Sequence, residues 1–398
     1  MPRALIVTQY FSPEPCAGAH RMEALAIAMR DRGMDVTVVA PLPSFPSGRI
    51  DSRYRGTFVS RDVRDGITLV RLRHIATVRR FGRIAAWLSF ALLSTLYVLT
   101  SRRADVVVVT SPPISLALAG IVARFVRGSK LVVDVRDVFP DLPVQMGAWR
   151  EGSIVTRLVG AIASCTYGAA SLVVAVTPTA VEQVRRRAKR TPILLAVNGC
   201  DWVRPSSGVV KRRNGEFVAT FTGNMGLANG MDLLLDAAKL VQDGDIRIAL
   251  VGGGTDYERV AARVRSENIS NVDLYGVVPR ERAVGALAES DAAIIILREG
   301  IGESVPTKIL DAFSVQCPVV LSAAGEARRV VTESIGGICS APGDAESLAD
   351  ALRRLACDRD LARALGQAGH RYVRNFDRGA IMANLAATIE RAGMPEPA

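Results

Sequence analysis

The chain has 398 residues, of which 49% are hydrophobic and 5% aromatic, and it carries a formal net charge of +11. Its length and apolar content exclude a disordered protein and predict two domains. The six cysteines form no Cys-x-x-Cys or Cys/His cluster, and this argues against a disulfide framework or a zinc site. The positive charge suits phosphate-bearing partners, but few aromatic residues and no nucleic-acid-binding motif lead us to expect anionic lipid or nucleotide and no nucleic acid.

Apolar, β-branched runs in the first half of the chain predict strands that alternate with helices. The predicted strands are 4–8, 36–40, 67–72, 105–110, 130–135 and 171–177. Uninterrupted apolar strands are typical of a parallel sheet covered by helices on both faces. Because the N-terminus MPRALIVTQYF reads as the first strand and not as a secretory leader, we expect a cytoplasmic protein.

A longer apolar segment, IAAWLSFALLSTLYVLT at 84–100, interrupts this series. It is at the lower limit for crossing a bilayer, and strands resume after it, so a membrane span is disfavoured. Arginines flank both of its ends. Two interpretations stay open: a buried helix of the first domain, or an interfacial helix through which 79–103 lies on an anionic membrane.

The strand pattern restarts after a segment of linker composition. Residues 200–214 are rich in Gly, Pro, Ser and charge, and they lack periodicity. The strands predicted beyond them are 217–223, 247–254, 272–276, 292–297 and 317–322. Two such series predict two Rossmann-like, doubly wound parallel-sheet domains at 1–199 and 215–375, with an amphipathic helix over 376–393 at the end.

Ligands of such sheets bind beyond the carboxyl ends of the strands, so polar residues at these junctions are candidates. In the first domain, Gly18 permits a close approach at the start of a helix, and His20 and Arg21 follow within one turn. Arg136 and Asp137 come directly after strand 130–135. Each has a structural alternative: a turn glycine, a packed histidine or an Arg–Asp salt bridge.

In the second domain, the turn TGNMGLANG at 222–230 is rich in Gly and Asn, as are loops that hold phosphate. It lacks the Gly-Lys-Ser/Thr of a P-loop, which excludes that motif.

The junction ESVPTKILDAFSVQCP at 303–318 is the most informative. Seven residues separate Glu303 from Asp311, and Pro306 predicts that a helix begins between them. Lys308 then lies in the early turns, where the helix dipole disfavours a cation unless a polyanion sits in front of it. A solvent-facing lysine is the alternative.

Together these junctions resemble the retaining glycosyltransferases of family 4, whose hallmark is a Glu, seven residues and a second Glu. The flank VPTKILDAFSVQCPVV looks like the form found in bacterial O-antigen, capsule and colanic-acid transferases. Further matching segments, among them VVDVRDVFPDLP, NGCD and LYGVVPRERAVGAL, cover nearly the whole chain in the expected order. The resemblance implies a GT-B fold, in which two domains face each other across a cleft and the C-terminal segment 376–398 packs back on the first domain.

The resemblance also assigns roles. It implies a nucleotide-sugar donor, expected to be UDP-linked, whose sugar contacts Glu303 and whose ribose contacts Asp311. Gly18 would close over the diphosphate, and Arg280 belongs to the segment that packs on the base. The diphosphate would be held after Glu303 by Ser304, Val305, Pro306, Thr307 and Lys308. Arg136 and Asp137, together with His20 and Arg21, would line the acceptor side, the first two as catalytic residues with Glu303.

Two departures from the family pattern stand out. Asp311 replaces the usual Glu and is shorter by one methylene. Asn224 and Asn229 stand in the loop where many members carry an Arg and a Lys against the diphosphate. Lys308, Arg298 or Arg21 would then have to supply that charge. No cofactor and no metal are expected, since the nucleotide sugar is a substrate and its phosphate can accept the acceptor's proton.

The sequence therefore predicts a retaining hexosyl- or N-acetylhexosaminyltransferase of cell-surface polysaccharide or lipopolysaccharide assembly. We expect it in the cytoplasm, peripheral to the inner face of the plasma membrane, with a lipid-linked saccharide as acceptor. Three alternatives stay open: a transferase acting on a soluble acceptor, a GT-B nucleotide-sugar 2-epimerase, and a non-enzymatic protein that binds phosphate or nucleic acid.

Overall fold

The structure is a computed structural model that describes residues 1–45, 47–77, 82–211, 215–226 and 228–393. The chain divides into two compact units. Unit 1 comprises Met1–Asn198 and Arg378–Ala398, and unit 2 comprises Gly199–Asp377. The chain therefore enters unit 2 once and returns, and its C-terminal helix belongs to unit 1.

Among its described residues, unit 1 contains an eight-stranded sheet in the order β3-β4-β2-β1-β5-β6-β7-β8. The strands are β1 Arg3–Val7, β2 Asp35–Pro41, β3 Val59–Arg64, β4 Ile67–Leu72, β5 Val106–Ser111, β6 Lys130–Val135, β7 Leu172–Ala175 and β8 Ile193–Leu195. All neighbouring strands pair in parallel except β3 with β4. The predicted strands of this half are found within two residues or so of their expected ends.

Two edge strands of unit 1 were not predicted. β3 is exposed and polar, so it has no apolar run. It forms a hairpin with β4 through Asp65 and Gly66, both with positive φ. An Asp-Gly pair is the residue choice for a two-residue hairpin turn, and it was the available signal. β8 has three residues, too few to show a pattern.

Helices cover both faces of the unit 1 sheet. They are α1 Ala17–Asp31, α2 Gly82–Thr100, α3 Ala117–Phe125, α4 Asp141–Gln145, α5 Ile154–Ala169, α6 Pro178–Arg187 and α14 Arg378–Gly393. Helix α14 packs against α1, where Met382, Leu385 and Ile389 join Met22 and Leu25 in one buried cluster. Burying such side chains contributes about 1.5–3 kcal/mol each.

Helix α2 is half-buried. Phe90, Ala91 and Val98 pack in the core of unit 1, whereas Leu88 and Leu92 are more than half exposed. By length and composition alone, Gly82–Thr100 is the one helix among the described residues that could cross a membrane. In its most apolar stretch of 18 residues, 33% is buried. Arg79 and Arg80 belong to the segment 79–103 that was predicted to lie on a membrane, and they are outside the described residues.

Unit 2 contains, among its described residues, a six-stranded parallel sheet in the order β11-β10-β9-β12-β13-β14. Its strands are β9 Phe217–Asn224, β10 Ile246–Gly253, β11 Val272–Gly276, β12 Ala292–Ile296, β13 Val319–Ser322 and β14 Gly337–Ser340. Its helices are α7 Met231–Leu240, α8 Tyr257–Ser266, α9 Arg280–Ala288, α10 Thr307–Ser314, α11 Gly325–Ser334, α12 Ala345–Cys357 and α13 Arg359–Val373. Only the short, half-buried β14 was missing from the prediction. Both units are thus doubly wound α/β units, as the strand pattern predicted.

The prediction of a linker is wrong for 200–211, which packs on unit 2. Val209 is buried with Val251 and Ala286. The carboxylate of Glu289 accepts from the amides of Gly208, Val209 and Val210, at 2.5, 3.2 and 3.3 Å. The Gly, Pro and Ser content prevents a helix or strand there, but one carboxylate satisfies the exposed backbone instead. Residues 212–214 lie outside the described part of the chain.

Candidate active site

In each sheet the strand order reverses beside the first strand of the unit, between β1 and β5 and between β9 and β12. Loops leave such a reversal in opposite directions and open a crevice at the carboxyl ends of the strands. The loop after β12 reaches the loop after β9 in unit 2, because the Arg298 amide donates to the Ala228 carbonyl at 3.0 Å. The predicted donor residues lie on these loops.

The ends of β9 and β10 are drawn together by glycine. Gly252 has φ +145°, and a Cβ there would lie 1.9 Å from the carbonyl oxygen of Gly223. Only a residue without a side chain permits this approach. The end of β9 is therefore fixed against β10, next to the Gly- and Asn-rich turn at 222–230 that resembles a phosphate-holding loop.

Lys308 lies at this strand end. Its ammonium is 4.0 Å from the centre of the Phe221 ring, on β9, and 3.8 Å from the position of a Cβ built on Gly223. The nitrogen is buried and has no hydrogen-bond acceptor among the described residues. Burial lowers the pKa of Lys308 to about 8, although the negative charge of Asp311 opposes that shift. The solvent-facing lysine considered from the sequence is therefore not what the structure shows.

Helix α10 begins at Thr307, one residue after the predicted position. Pro306 is its N-cap residue, in extended conformation, and no side chain caps the helix. The first-turn amides carry the positive end of the helix dipole and suit an anion. Glu303, Ser304 and Val305 lead into this turn and are half-buried. Pro306 has no N–H group to donate, so its part is to fix the backbone before the first turn.

Asp311 is held by an arginine that the sequence placed near the base. Arg280, the first residue of α9, donates from Nη2 to Asp311 Oδ1 at 3.0 Å. Its Nη1 donates to Asp201. Both carboxylates raise the pKa of Arg280, against a desolvation by burial that lowers it. The shortened acid is thus held in place from the neighbouring helix.

The two asparagines of the β9–α7 loop differ in their surroundings. Asn229 donates its side-chain amide to the carbonyl of Asn224 at 2.9 Å, which closes the turn on itself. The side chain of Asn224 lies at the exposed end of β9. This loop therefore supplies no charge, and the cation at the β9–β12 reversal comes from Lys308.

In unit 1 the predicted residues Gly18 and Arg136 come together at the carboxyl ends of β1 and β6. A Cβ on Gly18 would lie 1.9 Å from Nη1 of Arg136. Arg136 also donates from Nη2 to the carbonyl of Pro112, after β5, at 3.2 Å. The group that Gly18 admits in this structure is thus the guanidinium of Arg136, at the start of α1.

Asp137 follows Arg136 at the same edge of the sheet. Burial raises the pKa of Asp137, and the positive charge of Arg136 opposes that shift without cancelling it. A carboxyl group of this kind exchanges its proton closer to neutral pH than an exposed one. This property suits a group that accepts or donates a proton.

The sequence prediction for Arg21 is corrected by the structure. Its side chain is fully buried, bonded to Asp134 of β6 at 2.7 Å and to the carbonyl of Val197 at 3.0 Å. A buried charge is stable only when it is paired, and here the pair joins α1 to the sheet. Arg21 is therefore a structural residue. His20 lies one position earlier and is half-buried.

Two contacts were not predicted from the sequence. In the sequence Phe221 indicates only a strand residue, although its ring lies against the ammonium of Lys308. Asp201 belongs to the segment NGCD, in which no local pattern indicates a contact, although it binds Arg280. Both are long-range contacts, so a local motif could not reveal them. No group of three His, Cys, Asp or Glu placed to hold a metal ion occurs in the described part of the chain.

Two family models match the chain in sequence order. Residues 17–199 match the "Glycosyl transferase 4-like domain" and residues 216–358 match "Glycosyl transferases group 1". The chain belongs to the group 1, family 4-like glycosyltransferases. Over 275 residues the glycosyltransferase is 26% identical to the probable glycosyltransferase WbjE of Pseudomonas aeruginosa, covering 66% of this chain and 68% of that protein.

Solved structures show the same fold for this glycosyltransferase. Sucrose-phosphate synthase of Thermosynechococcus elongatus has a TM-score of 0.77 at 17% identity, covering 98% of this chain and 99% of that one. HepE of Anabaena, in complex with UDP and glucose, has a TM-score of 0.71 at 19% identity, covering 98% and 100%. The GT-B fold class predicted from the sequence is confirmed.

Proposed function

We propose that this glycosyltransferase transfers a hexosyl or N-acetylhexosaminyl group from a UDP-linked donor, with retention of configuration, to a hydroxyl of a lipid-linked saccharide. The observation that carries the donor site is Lys308, whose buried ammonium has no acceptor among the described residues and lies at the β9–β12 reversal. A buried cation without a partner is costly, and a diphosphate in front of α10 would supply one. The choice of UDP is supported by HepE, which was solved with UDP and glucose.

The chemistry asks the protein to stabilise a leaving group. The bond from the anomeric carbon to the diphosphate oxygen breaks, and its electron pair goes to the diphosphate. The acceptor oxygen bonds to the same face of that carbon, and its proton passes to the released diphosphate. Lys308 and the first-turn amides of α10 stabilise the charge that develops, since fixed donors in a site that excludes water act without reorganising.

The other residues bind and orient the substrates in this proposal. Glu303 contacts the donor sugar, and Asp311 accepts from the ribose hydroxyls. Ser304, Val305 and Thr307 offer their amides to the diphosphate. In unit 1, Arg136 and Asp137 act on the acceptor side, and Gly18 admits the Arg136 guanidinium.

A thermal-shift panel of UDP-, GDP- and dTDP-sugars tests the donor. A ligand at 100 times its Kd stabilises the folded state by about 2.7 kcal/mol, so the true donor gives the largest rise in Tm. Glu303→Ala should abolish transfer and leave the protein folded. Glu299→Ala, an exposed acid of the same loop, is the matched control and should retain transfer. Turnover by Glu303→Ala at the wild-type rate would remove Glu303 from the site.

The lipid-linked acceptor is supported by an apolar surface on unit 1. The surface is formed by α2, α3 and α5, of which α2 packs on α3 and α3 on α5. Its exposed side chains are Ile84, Leu88, Leu92, Leu96 and Leu99 of α2, Leu118 and Phe125 of α3, and Ile154, Val155 and Leu158 of α5. Their exposures run from 40% for Leu99 to 85% for Ile154. Apolar exposure of this extent is typical of a site that contacts protein or membrane.

The charges of these helices favour a membrane with anionic lipid. Helices α2, α3 and α5 contain no Asp or Glu, and their only charged residues are Arg83, Arg124 and Arg157. The exposed Arg102 and Arg103 follow α2 directly. Leucines in the acyl boundary with arginines at the headgroups are the arrangement of an interfacial helix. We propose that unit 1 lies on the anionic cytoplasmic leaflet, where a lipid-linked acceptor is found.

Sedimentation with vesicles tests this attachment. The protein should bind phosphatidylglycerol vesicles at low salt and bind phosphatidylcholine vesicles weakly, since the arginines need anionic headgroups. Leu92→Glu with Leu96→Glu should abolish binding, whereas Leu240→Glu, at an exposed leucine of unit 2, should not. Wild-type protein that stays in the supernatant at low salt would favour a soluble acceptor instead.

A further inference from the structure

We propose that Arg280 is a positioning residue that holds Asp311 in the orientation required to bind the ribose hydroxyls of the donor, and that Asp201 holds Arg280 in turn. This inference rests on the proposed function, because it needs Asp311 to contact the ribose. It gives Arg280 a role different from packing on the base.

The contacts form a continuous chain of three charged side chains. Arg280 donates to Asp311 at 3.0 Å through one terminal nitrogen and to Asp201 through the other. The side chains are 25% exposed for Arg280, 31% for Asp201 and 18% for Asp311. A guanidinium is planar and presents its donors in a fixed fork, so binding two acids at once fixes its orientation and theirs.

The position of Arg280 in its helix supports a function that depends on these acids. Arg280 is the first residue of α9, after an N-cap proline. A cation at a helix N-terminus is opposed by the helix dipole. The two carboxylates offset this cost. An arginine that served only to cover a base would not require two acids around its guanidinium.

Asp201 stands on a segment that is itself fixed. The neighbouring Cys200 donates its amide to the carbonyl of Phe376 at 2.7 Å and forms a parallel bridge with Asp377. Its thiol lies 3.6 Å from the carbonyl of Leu310, on the helix that carries Asp311. The two ends of unit 2 are thus joined beside α10, and Asp201 follows this junction and binds Arg280.

This arrangement explains how an aspartate can serve where a glutamate is usual. Asp311 is shorter by one methylene, so the orientation of its carboxylate matters more for reaching a ligand. A carboxylate has two oxygens and about four lone-pair sites, and accepting from Arg280 is compatible with accepting from hydroxyls. Arg280 fixes the group before the donor arrives, which lowers the ordering cost of binding.

The experiment compares the affinities of UDP and 2′,3′-dideoxy-UDP, measured by calorimetry on the full chain. Wild-type protein should prefer UDP, and Asp311→Asn should lose that preference. Arg280→Gln should weaken UDP by about tenfold, the size expected for one charge-assisted hydrogen bond. It should leave the dideoxy analogue nearly unchanged, so that the preference for the ribose hydroxyls disappears.

Two further variants complete the test. Adding Arg280→Gln to Asp311→Asn should cause no further loss, because both remove the same interaction. Asp201→Asn, which keeps Arg280 and Asp311, should reduce the preference for UDP in part, and Arg280→Lys should restore part of it.

Other outcomes would overturn the inference in distinguishable ways. Equal weakening of both nucleotides by Arg280→Gln would assign Arg280 to the base or phosphates. A lower Tm with unchanged affinities would make it a structural residue. Wild-type protein that binds neither nucleotide would contradict the proposed donor itself, before any variant is compared.

Discussion

Both units place a basic side chain at the point where the strand order reverses, but its surroundings differ. In unit 2, the ammonium of Lys308 is buried against the Phe221 ring, with no acceptor among the described residues. In unit 1, the guanidinium of Arg136 lies on Gly18, donates to Pro112 and is followed by Asp137. The fold thus provides the same position twice, and the neighbouring residues decide its use. The lysine has no acceptor among the described residues and can bind an anion, whereas the arginine is already bonded within its unit.

The largest expected effect is on the lysine side of this comparison. Lys308→Met should lower kcat/KM for the donor by about 10²-fold or more, as does removing one preorganised group that stabilises a developing charge. The free protein should be as stable as wild type or more stable, because an unpaired buried charge is removed. Initial rates and thermal melts measure both effects.

Arg298→Met is the control for that variant. Arg298 is exposed on the same loop, and in the sequence it is an alternative source of positive charge for the diphosphate. It should change kcat/KM by less than about threefold, in line with other exposed substitutions. A larger loss in Arg298→Met than in Lys308→Met would place the diphosphate nearer the exposed arginine.

The same lysine predicts how donor binding depends on pH. Its pKa is lowered to about 8 by burial, so the ammonium proposed to bind the diphosphate is lost as the pH rises through 8. Donor affinity should fall by up to about tenfold per unit above pH 8. The stability of the free protein should change in the opposite direction. A lysine whose folded pKa is depressed binds fewer protons than the unfolded chain between that pKa and 10.5, so stability rises over this range.

Calorimetry with UDP at pH 7, 8 and 9 measures the affinity, and Lys308→Met is the control. The variant should show a flat profile over this range. A wild-type profile that is equally flat would mean that the lysine does not meet the phosphates.

Gly18 tests the arginine side of the comparison. A methyl group at Gly18 cannot coexist with the guanidinium of Arg136 in its present position, so Gly18→Ala should displace Arg136. Because the clashing atom is the end of a flexible side chain, the expected cost is that of the hydrogen bond from Arg136 to Pro112, about 0.5–1.5 kcal/mol of stability. Gly168→Ala is the matched control, because nothing lies within 4 Å of its added methyl group and it is in helix α5. It should stabilise the protein by up to about 1 kcal/mol. Chemical denaturation measures the free energy of unfolding of both variants. A Gly18→Ala variant as stable as wild type would mean that Arg136 moves away without cost.

The sequence predicted the parts of this molecule that depend on local patterns. Buried parallel strands such as β5 and β12 are continuous apolar runs, and Pro306 indicated the start of α10 within one residue. Pairings between distant side chains were not predicted. Arg21 was expected near a ligand because it follows Gly18, but Asp134, 113 residues away, determines its role. Lys308 was correctly placed at the helix start, but its burial against Phe221 depends on how two strands meet.

The smallest expected effect is the change in Tm on replacing Asp137. Its sign is opposite to that expected for Asp134, the buried acid three residues earlier. Burial raises the pKa of Asp137, so its ionised form is disfavoured in the folded protein. Its contribution to stability is present below the pKa of the unfolded chain and is lost as the pH rises through the folded pKa. Asp137→Asn should therefore raise Tm at pH 8, by about 1–2 °C, and give no gain at pH 4. Asp134→Asn is the opposite case, since it leaves the buried Arg21 without its partner, and it should lower Tm. If Asp137 also acts on the acceptor, Asp137→Asn will lose transfer activity while gaining stability. A loss of both would make Asp137 a structural residue like Asp134, with no part on the acceptor side.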